Sequence, residues 1–324
     1  MAELLFAPME GITFSTYRRI HHEMFPGMQE YYTPFIAPDK AGTFKPKFLK
    51  ELTKDSAAGL KVIPQLMVND PDSFIITARK LRELGFDEIN LNAGCPSGTV
   101  FSKHKGSGML ADPESLDRFL DAIFSAMEAE KIKVSIKTRM GVHSTEEFPR
   151  LAEIYKKYPV SKLIIHARDR DGQYKSIPDI PGFAAAIRVF CFPVSYNGNI
   201  FSEGELLEAE KVTGEKLNSV MLGRGIITNP ALGRELSGGK RLTCDEMRAF
   251  HAALLEAYLE DGLSQTFVLE RMKHLWYYMI HMFLDYKKEQ KAILKAGTVP
   301  EYRTAAEILF DSGKFSSEGK FRDI

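Results

Sequence analysis

The chain has 324 residues, 43 Lys and Arg against 43 Asp and Glu, and 44% hydrophobic residues. That length suffices for a large domain plus a smaller one, with a core that needs neither disulfides nor a structural metal. A formal net charge of zero counts against a surface that coats nucleic acid throughout, and three cysteines, Cys95, Cys191 and Cys244, far apart and outside any C-x-x-C pattern, count against a disulfide framework or a zinc site.

Residues 1–8 lack the basic stretch and apolar run of a signal peptide, and no apolar run reaches the roughly 20 residues of a membrane span. A cytoplasmic protein acting as a monomer is expected. Short apolar runs then alternate with longer amphipathic ones. Strands are predicted at 4–8, 31–36, 62–67, 88–92, 133–138, 162–166, 193–197 and 219–223. Runs such as Val134-Ser135-Ile136 and Leu163-Ile164-Ile165 suit strands buried on both faces of a parallel sheet. Helical patterns fall between: 70–84 behind a cap-like Asn69, 113–127 behind Asp112 with Pro113 at the first helical position, and 203–212 behind Ser202. After about residue 240 long helical patterns take over, at 244–260, 266–285, 287–296 and 301–311, with Gly238-Gly239 as the boundary. The predicted fold is an α/β (β/α)8 TIM barrel over residues 1–238, followed by a small all-helical C-terminal domain over 239–324. A doubly wound sheet is the rival, but there is no G-x-G-x-x-G after the first strand.

Met9, Gln65, Asn92, Lys137, His166, Asn197 and Gly223 all fall at predicted strand ends, the face on which barrel enzymes place their sites. Asn197-Gly198-Asn199-Ile200 and Gly223-Arg224-Gly225 follow strands seven and eight, where glycines let backbone N–H groups approach a phosphate and Arg224 can pair with it. Lys137 suits the anion that a flavin becomes on reduction, and His166 can help hold the cofactor; a rim ion pair and a hydrogen-bonded core histidine are the plainer readings. Gln65 offers a donor and an acceptor to a flavin's mixed edge, and Pro8-Met9 an apolar floor. Cys95 sits in Asn92-Ala93-Gly94-Cys95-Pro96-Ser97, a Gly/Pro turn that presents a thiol, protonated at neutral pH and able to act as an acid. Cys191 reads as a buried structural residue and Cys244 as a helix start.

The ordered set Ala7-Pro8-Met9-Glu10-Gly11-Ile12-Thr13, Asn92-Ala93-Gly94-Cys95-Pro96-Ser97, Ile136-Lys137-Thr138-Arg139, Ile165-His166-Ala167-Arg168, Asn197-Gly198-Asn199-Ile200, Gly223-Arg224-Gly225 and Asn229-Pro230 resembles the tRNA-dihydrouridine synthases. The resemblance implies an FMN enzyme, reduced by NADPH, that acts on uridine in tRNA. It implies FMN binding by Pro8, Met9, Gln65, Lys137, His166, Asn197, Gly198, Asn199, Gly223 and Arg224, a catalytic acid at Cys95, a base-holding Asn92, and a substrate contact at Arg168. Two positions depart from the family pattern: Asp169, where Thr is common, and Asn199, where Asp is common. The loop 97–109, with Lys103 and Lys105, reads either as a mobile flap over RNA or as a solvated loop. Between Gln265 and Lys295 six Lys and Arg face three Asp and Glu, a patch able to contact phosphates, although Leu275, Tyr278, Met279 and Met282 have the spacing of a core face. The alternatives are an FMN barrel oxidoreductase of a free small molecule, such as a pyrimidine, and an idle scaffold on the same fold.

Overall fold

A computed structural model describes residues 2–39, 42–43, 48–49, 51–52 and 59–321. They divide into two compact units. Unit 1 joins Met1–Pro8, Gln29–Gly198 and Leu207–Met221; unit 2 joins Met9–Met28, Asn199–Leu206 and Leu222–Ile324.

Unit 1 is built on nine strand segments: β1 (Glu3–Phe6), β2 (Glu30–Tyr32), β3 (Val62–Ile63), β4 (Gln65–Leu66), β5 (Glu88–Ala93), β6 (Lys133–Gly141), β7 (Leu163–Asp169), β8 (Val194–Asn197) and β9 (Ser219–Leu222). Their order is β3-β2-β1-β9-β8-β7-β6-β5-β4, with parallel pairing. Only Pro64 separates β3 from β4. Proline has no N–H to give to a ladder, so it splits one strand into a half that pairs with β2 and a half that pairs with β5. The Pro64 carbonyl still accepts from Asn90 N at 2.9 Å. The ring therefore closes on eight strand positions, the predicted TIM barrel. All six residues of β5 are buried, as strands covered on both faces must be.

Leu5, Ala7, Tyr32, Ile63, Ile164 and Met221 form a packed cluster from five strands. At the amino ends of the strands lies a charged cluster instead. Lys162 Nζ donates to Glu30 Oε2 at 2.8 Å and pairs with Glu3, and Lys61 Nζ donates to Glu30 Oε1 at 2.6 Å. Burial pushes the Glu30 carboxyl upward, but the hydrogen bonds from Lys162 and Lys61 outweigh it and hold the group below the ordinary carboxylate range.

The helices follow the predicted alternation, with one cap moved. Pro71–Glu83 is capped by Asp70, whose Oδ2 accepts from Ser73 N at 2.9 Å, and not by Asn69, whose amide donates to Lys103 O at 3.0 Å. Pro113–Ala129 is capped by Asp112, as expected. Cys191 is exposed rather than buried, because it lies in a turn between a helix and β8.

Unit 2 joins helix Ser15–Met24 to the C-terminal helices Cys244–Glu260, Gln265–Met279, Lys287–Lys295 and Val299–Ser312. Tyr17 meets Phe250 edge-on at 5.5 Å, and His21 Nε2 lies 2.9 Å from Pro230 O. The Tyr302 hydroxyl accepts from Trp276 Nε1 and meets His251 Nε2, both at 2.7 Å, so these three buried polar side chains satisfy one another. The helix expected at 266–285 stops at Met279. A 3-10 turn, Ile280–Met282, leads into β10 (Phe283–Leu284), which pairs antiparallel with β11 (Lys314–Phe315). This region is thus helical apart from one short ladder. No helix among the described residues is long and apolar enough to cross a membrane.

The charged cluster makes a direct prediction. Lys162→Ala leaves Glu30 buried with only Lys61 as a cation, and is expected to cost roughly 3 kcal/mol, read as a lower urea midpoint at unchanged slope. Because the folded Glu30 pKa is depressed, its contribution is present above the ordinary carboxyl pKa and fades as pH falls through the folded value. The gap between wild type and Lys162→Ala should therefore narrow in acid.

Candidate active site

The strand register sets polar residues side by side. Gln65 lies opposite Asn90, Asn92 opposite Lys137, and His166 opposite Asn197. Inside a closed ring such groups must find partners. Gln65 Nε2 donates to Asn90 Oδ1 at 2.8 Å, Asn90 Nδ2 to Ser135 Oγ at 3.0 Å, and Asn92 Nδ2 to Gln65 Oε1 at 2.7 Å. One chain of amides thus crosses β4, β5 and β6.

That chain fixes the turn of Cys95. Asn92 Oδ1 accepts from Gly94 N at 3.1 Å and from Cys95 N at 3.0 Å, which fills both lone pairs of the amide oxygen. Arg139 Nε donates to Gly94 O at 2.9 Å, and its Nη1 to Asp169 O at 2.8 Å. Ser107 closes the other side, its N at 3.1 Å and its Oγ at 2.8 Å from Cys95 O. Gly106 has φ +56°, and a Cβ there would stand 2.9 Å from Cys95 Cβ; only glycine allows both. Cys95 itself is half-buried and outside any disulfide. Segment 97–109 carries the short helix Gly98–Phe101 and the start of a 3-10 turn, Gly106–Ala111, whose residues Gly106–Leu110 are buried. Lys103 is exposed and Lys105 half-buried. The Arg170 guanidinium lies over the Phe101 ring at 4.3 Å.

Lys137 reaches past β7 to β8, its Nζ donating to Asn197 Oδ1 at 2.9 Å. Both side chains therefore point into the ring. Asn197 Nδ2 donates to Met221 O at 2.9 Å. Part of the Lys137 surface stays accessible, yet protein surrounds the ammonium. That desolvation, aided by the Arg139 charge and opposed by Cys95, lowers its pKa to about 7. Here is a cation short of an anion.

His166 Nε2 lies 2.9 Å from Arg168 Nη1. Arginine only donates, so Nε2 accepts and the ring proton sits on Nδ1. Arg168 is 1% exposed, and its Nε donates to Ser176 O at 2.7 Å. It is part of the frame around His166, with almost no surface of its own. Gly198 follows Asn197 and is half-buried, as is Pro8 at the end of unit 1's first segment.

The remaining expected residues belong to unit 2. Met9 opens a turn in which its carbonyl accepts from Ile12 N at 3.1 Å and Thr13 N at 3.0 Å. Arg224 Nη2 donates to Asn199 Oδ1 at 2.8 Å, and Gly223 precedes it, ahead of the short helix Arg224–Thr228. In the C-terminal helices, Leu275, Met279 and Met282 are buried, as their spacing implied, while Tyr278 is half-buried. Arg271 lies among the rings of Phe14, Tyr258 and Phe267 at 4.1, 5.2 and 4.7 Å.

Arg139, Asn90 and Ser107 were not singled out in the sequence. Arg139 stands two residues after Lys137 and Ser107 between two glycines, but neither spacing says that both residues clamp one turn.

Residues 5–306 match the model of the dihydrouridine synthase (Dus) family. Over 244 residues the chain is 30% identical to the tRNA-dihydrouridine(16) synthase of Pseudomonas putida, covering 74% of each chain. It is 29% identical over 248 residues to the enzyme of the same name from Ralstonia nicotianae, covering 74% of this chain and 73% of the relative. Among solved structures, morphinone reductase superposes with TM-score 0.52 at 14% identity, covering 74% of this chain and 86% of the other. A 2-naphthoyl-CoA reductase gives 0.55 at 13% identity, over 74% and 50%. At such identities these structures show the barrel fold alone. The family match spans most of the chain, and the chain belongs to the dihydrouridine synthase family.

Proposed function

We propose that this family member reduces the C5=C6 bond of uridine in tRNA, with FMN as its cofactor, NADPH as reductant and Cys95 as the proton donor. The observation that carries the reading is the Cys95 turn, held from four directions by Asn92, Arg139, Ser107 and Gly106. A thiol fixed in this way is positioned for one transfer, and positioning is the larger part of such catalysis.

The residues fit a flavin. Lys137 is a desolvated cation that donates to a neutral amide oxygen, so an anion beside it restores the proton that burial discourages. The amide groups of Gln65 and Asn197 lie along the same ring of strands, and His166 adds a ring N–H. In unit 2, Arg224 with Asn199, Gly223 and the Met9 turn offers a guanidinium and backbone N–H groups, the donor set of a phosphate. Gly198 and Pro8 complete the set as small or apolar neighbours of the ring system.

When bound, the flavin would supply the hydride, from N5 to C6 of the uracil. The protein's part is the second hydrogen. As charge builds toward O4, the Cys95 thiol gives its proton to C5, so one hydride and one proton saturate the double bond. Asn92 acts on both partners. Its oxygen holds the Cys95 turn, and the second hydrogen of Nδ2 remains for a base carbonyl. Arg168 keeps His166 oriented. The base must leave its stack to enter, and Lys103 and Lys105, on the segment that closes over Cys95, serve the flanking phosphates. The helical region of unit 2, with Arg271 and the lysines of Lys287–Lys295, is the further tRNA surface.

The deciding experiment is NADPH-dependent dihydrouridine formation on unmodified tRNA transcripts. Cys95→Ala is expected to bind flavin normally and to lose about a hundredfold or more of turnover, the size of a general-acid contribution; full activity would sink the assignment. Asn92→Ala frees the turn and is expected to lower kcat about tenfold to a hundredfold. Asn92→Asp keeps the acceptor for Cys95 N but loses the donor, so its loss should appear chiefly in KM. Lys137→Gln removes the charge beside the cofactor and should lower the potential of the bound flavin by roughly 30–60 mV, the equivalent of one charge-assisted hydrogen bond, measured by anaerobic titration.

A further inference from the structure

Unit 2 contains a strap that finishes on Arg224. It leaves β11, and Ser316 N donates to Met282 O at 2.8 Å. Gly319 comes so close to the 3-10 turn that a Cβ there would stand 2.4 Å from His281 O. Lys320 Nζ donates to Glu205 Oε1 at 2.8 Å. These anchors deliver Phe321, 7% exposed, into a nest of rings, with Tyr278 at 5.2 Å, His281 at 4.9 Å and Phe201 at 6.2 Å. Behind the strap lies a polar cavity of about 480 Å³, bordered by Glu203, Glu235, Arg241 and Lys320. The strap is therefore fastened at discrete points and not by continuous packing.

The Arg224 guanidinium lies 5.1 Å from the Phe321 ring centroid and 5.7 Å from that of Phe201, two rings within 21° of parallel. Aromatic faces attract a guanidinium and fix its plane while leaving its N–H edge to hydrogen bonds. Nη2 spends one of them on Asn199 Oδ1, an amide oxygen that orients the cation and adds no charge. A long side chain that normally samples many rotamers is thus ordered by two rings and one amide. Ordering before binding reduces the entropy lost when a phosphate arrives.

We propose that Phe321 is a positioning residue that holds Arg224 for the terminal phosphate of the flavin, so that the strap sets the preference for FMN over riboflavin. The inference rests on the assignment of Arg224 to that phosphate. It goes beyond it because the strap lies outside residues 5–306, which match the family model.

The test uses the full chain freed of flavin and titrated with FMN and with riboflavin, followed by quenching of flavin fluorescence. Wild type should bind FMN more tightly than riboflavin. Phe321→Ala should weaken FMN by about three- to tenfold, the size of one cation–π contact, and leave riboflavin unchanged. Phe321→Leu fills the space without a π face. It should keep the wild-type melting temperature yet lose FMN preference, and it decides alone if the alanine variant does not fold. FMN binding equal to or tighter than wild type in these variants overturns the proposal, and so does a parallel loss for both ligands. A wild-type protein without FMN preference overturns the Arg224 assignment too, and that result needs no variant.

Discussion

A parallel ring turns half of its side chains inward, and every polar atom sent there must be met by another polar atom of the ring. In this protein that constraint is met by the series Ser135, Asn90, Gln65 and Asn92, each amide engaged by the next. The series ends on Asn92 Oδ1, which has no side-chain partner left and takes the backbone N–H groups of Gly94 and Cys95 instead. The geometry of the thiol is thus continuous with the packing of the barrel. A change deep in the series, at Asn90 for example, reaches Cys95 through three hydrogen bonds without touching it.

Arg139 has the opposite kind of role. Its guanidinium is buried and desolvation lowers its pKa, while Tyr174, Cys95 and Asp169 oppose the shift. It donates to the backbone carbonyls Gly94 O and Asp169 O, at the ends of the two strands that flank β6. It ties the turn after β5 to the end of β7 and so fixes Cys95 from the side that Asn92 does not reach. Its charge also lowers the Lys137 pKa. One residue therefore shapes the acid and tunes the cation.

The barrel was legible because strand ends and buried runs are local signals. All eight predicted strands appear, and Pro64 in 62–67 even marks where the ring divides between two neighbours. Helix caps were legible to within one residue, the exchange of Asn69 for Asp70 being decided by which carboxamide or carboxylate reaches Ser73 N. What the pattern could not give was partnership. Asn92 read as a group facing a ligand, yet both lone pairs of its amide oxygen are spent on the turn. Cys191 read as buried because its neighbours Phe190 and Phe192 are apolar, but those rings stack on each other at 4.9 Å and leave the sulfur outside. The helix expected to run to 285 ends at Met279 because Phe283 and Leu284 pair with Phe315 and Lys314, some thirty residues away, a non-local contact that overrides a periodic pattern.

The two lysines that the ring holds, Lys137 and Lys162, differ in how their charge is met. Lys162 lies between Glu3 and Glu30, and Lys61 completes the balance. Its charge is matched, and its removal is a matter of stability. Lys137 has protein around its ammonium too, but that ammonium meets the amide oxygen of Asn197, and the nearby guanidinium of Arg139 repels it. The protein bears a desolvated charge there without offering it a carboxylate. Such a site is costly in the empty chain and favourable only when something else brings the negative charge. The asymmetry between the two ends of the barrel is thus what supports the proposal that the carboxyl ends take an anion which the chain does not supply.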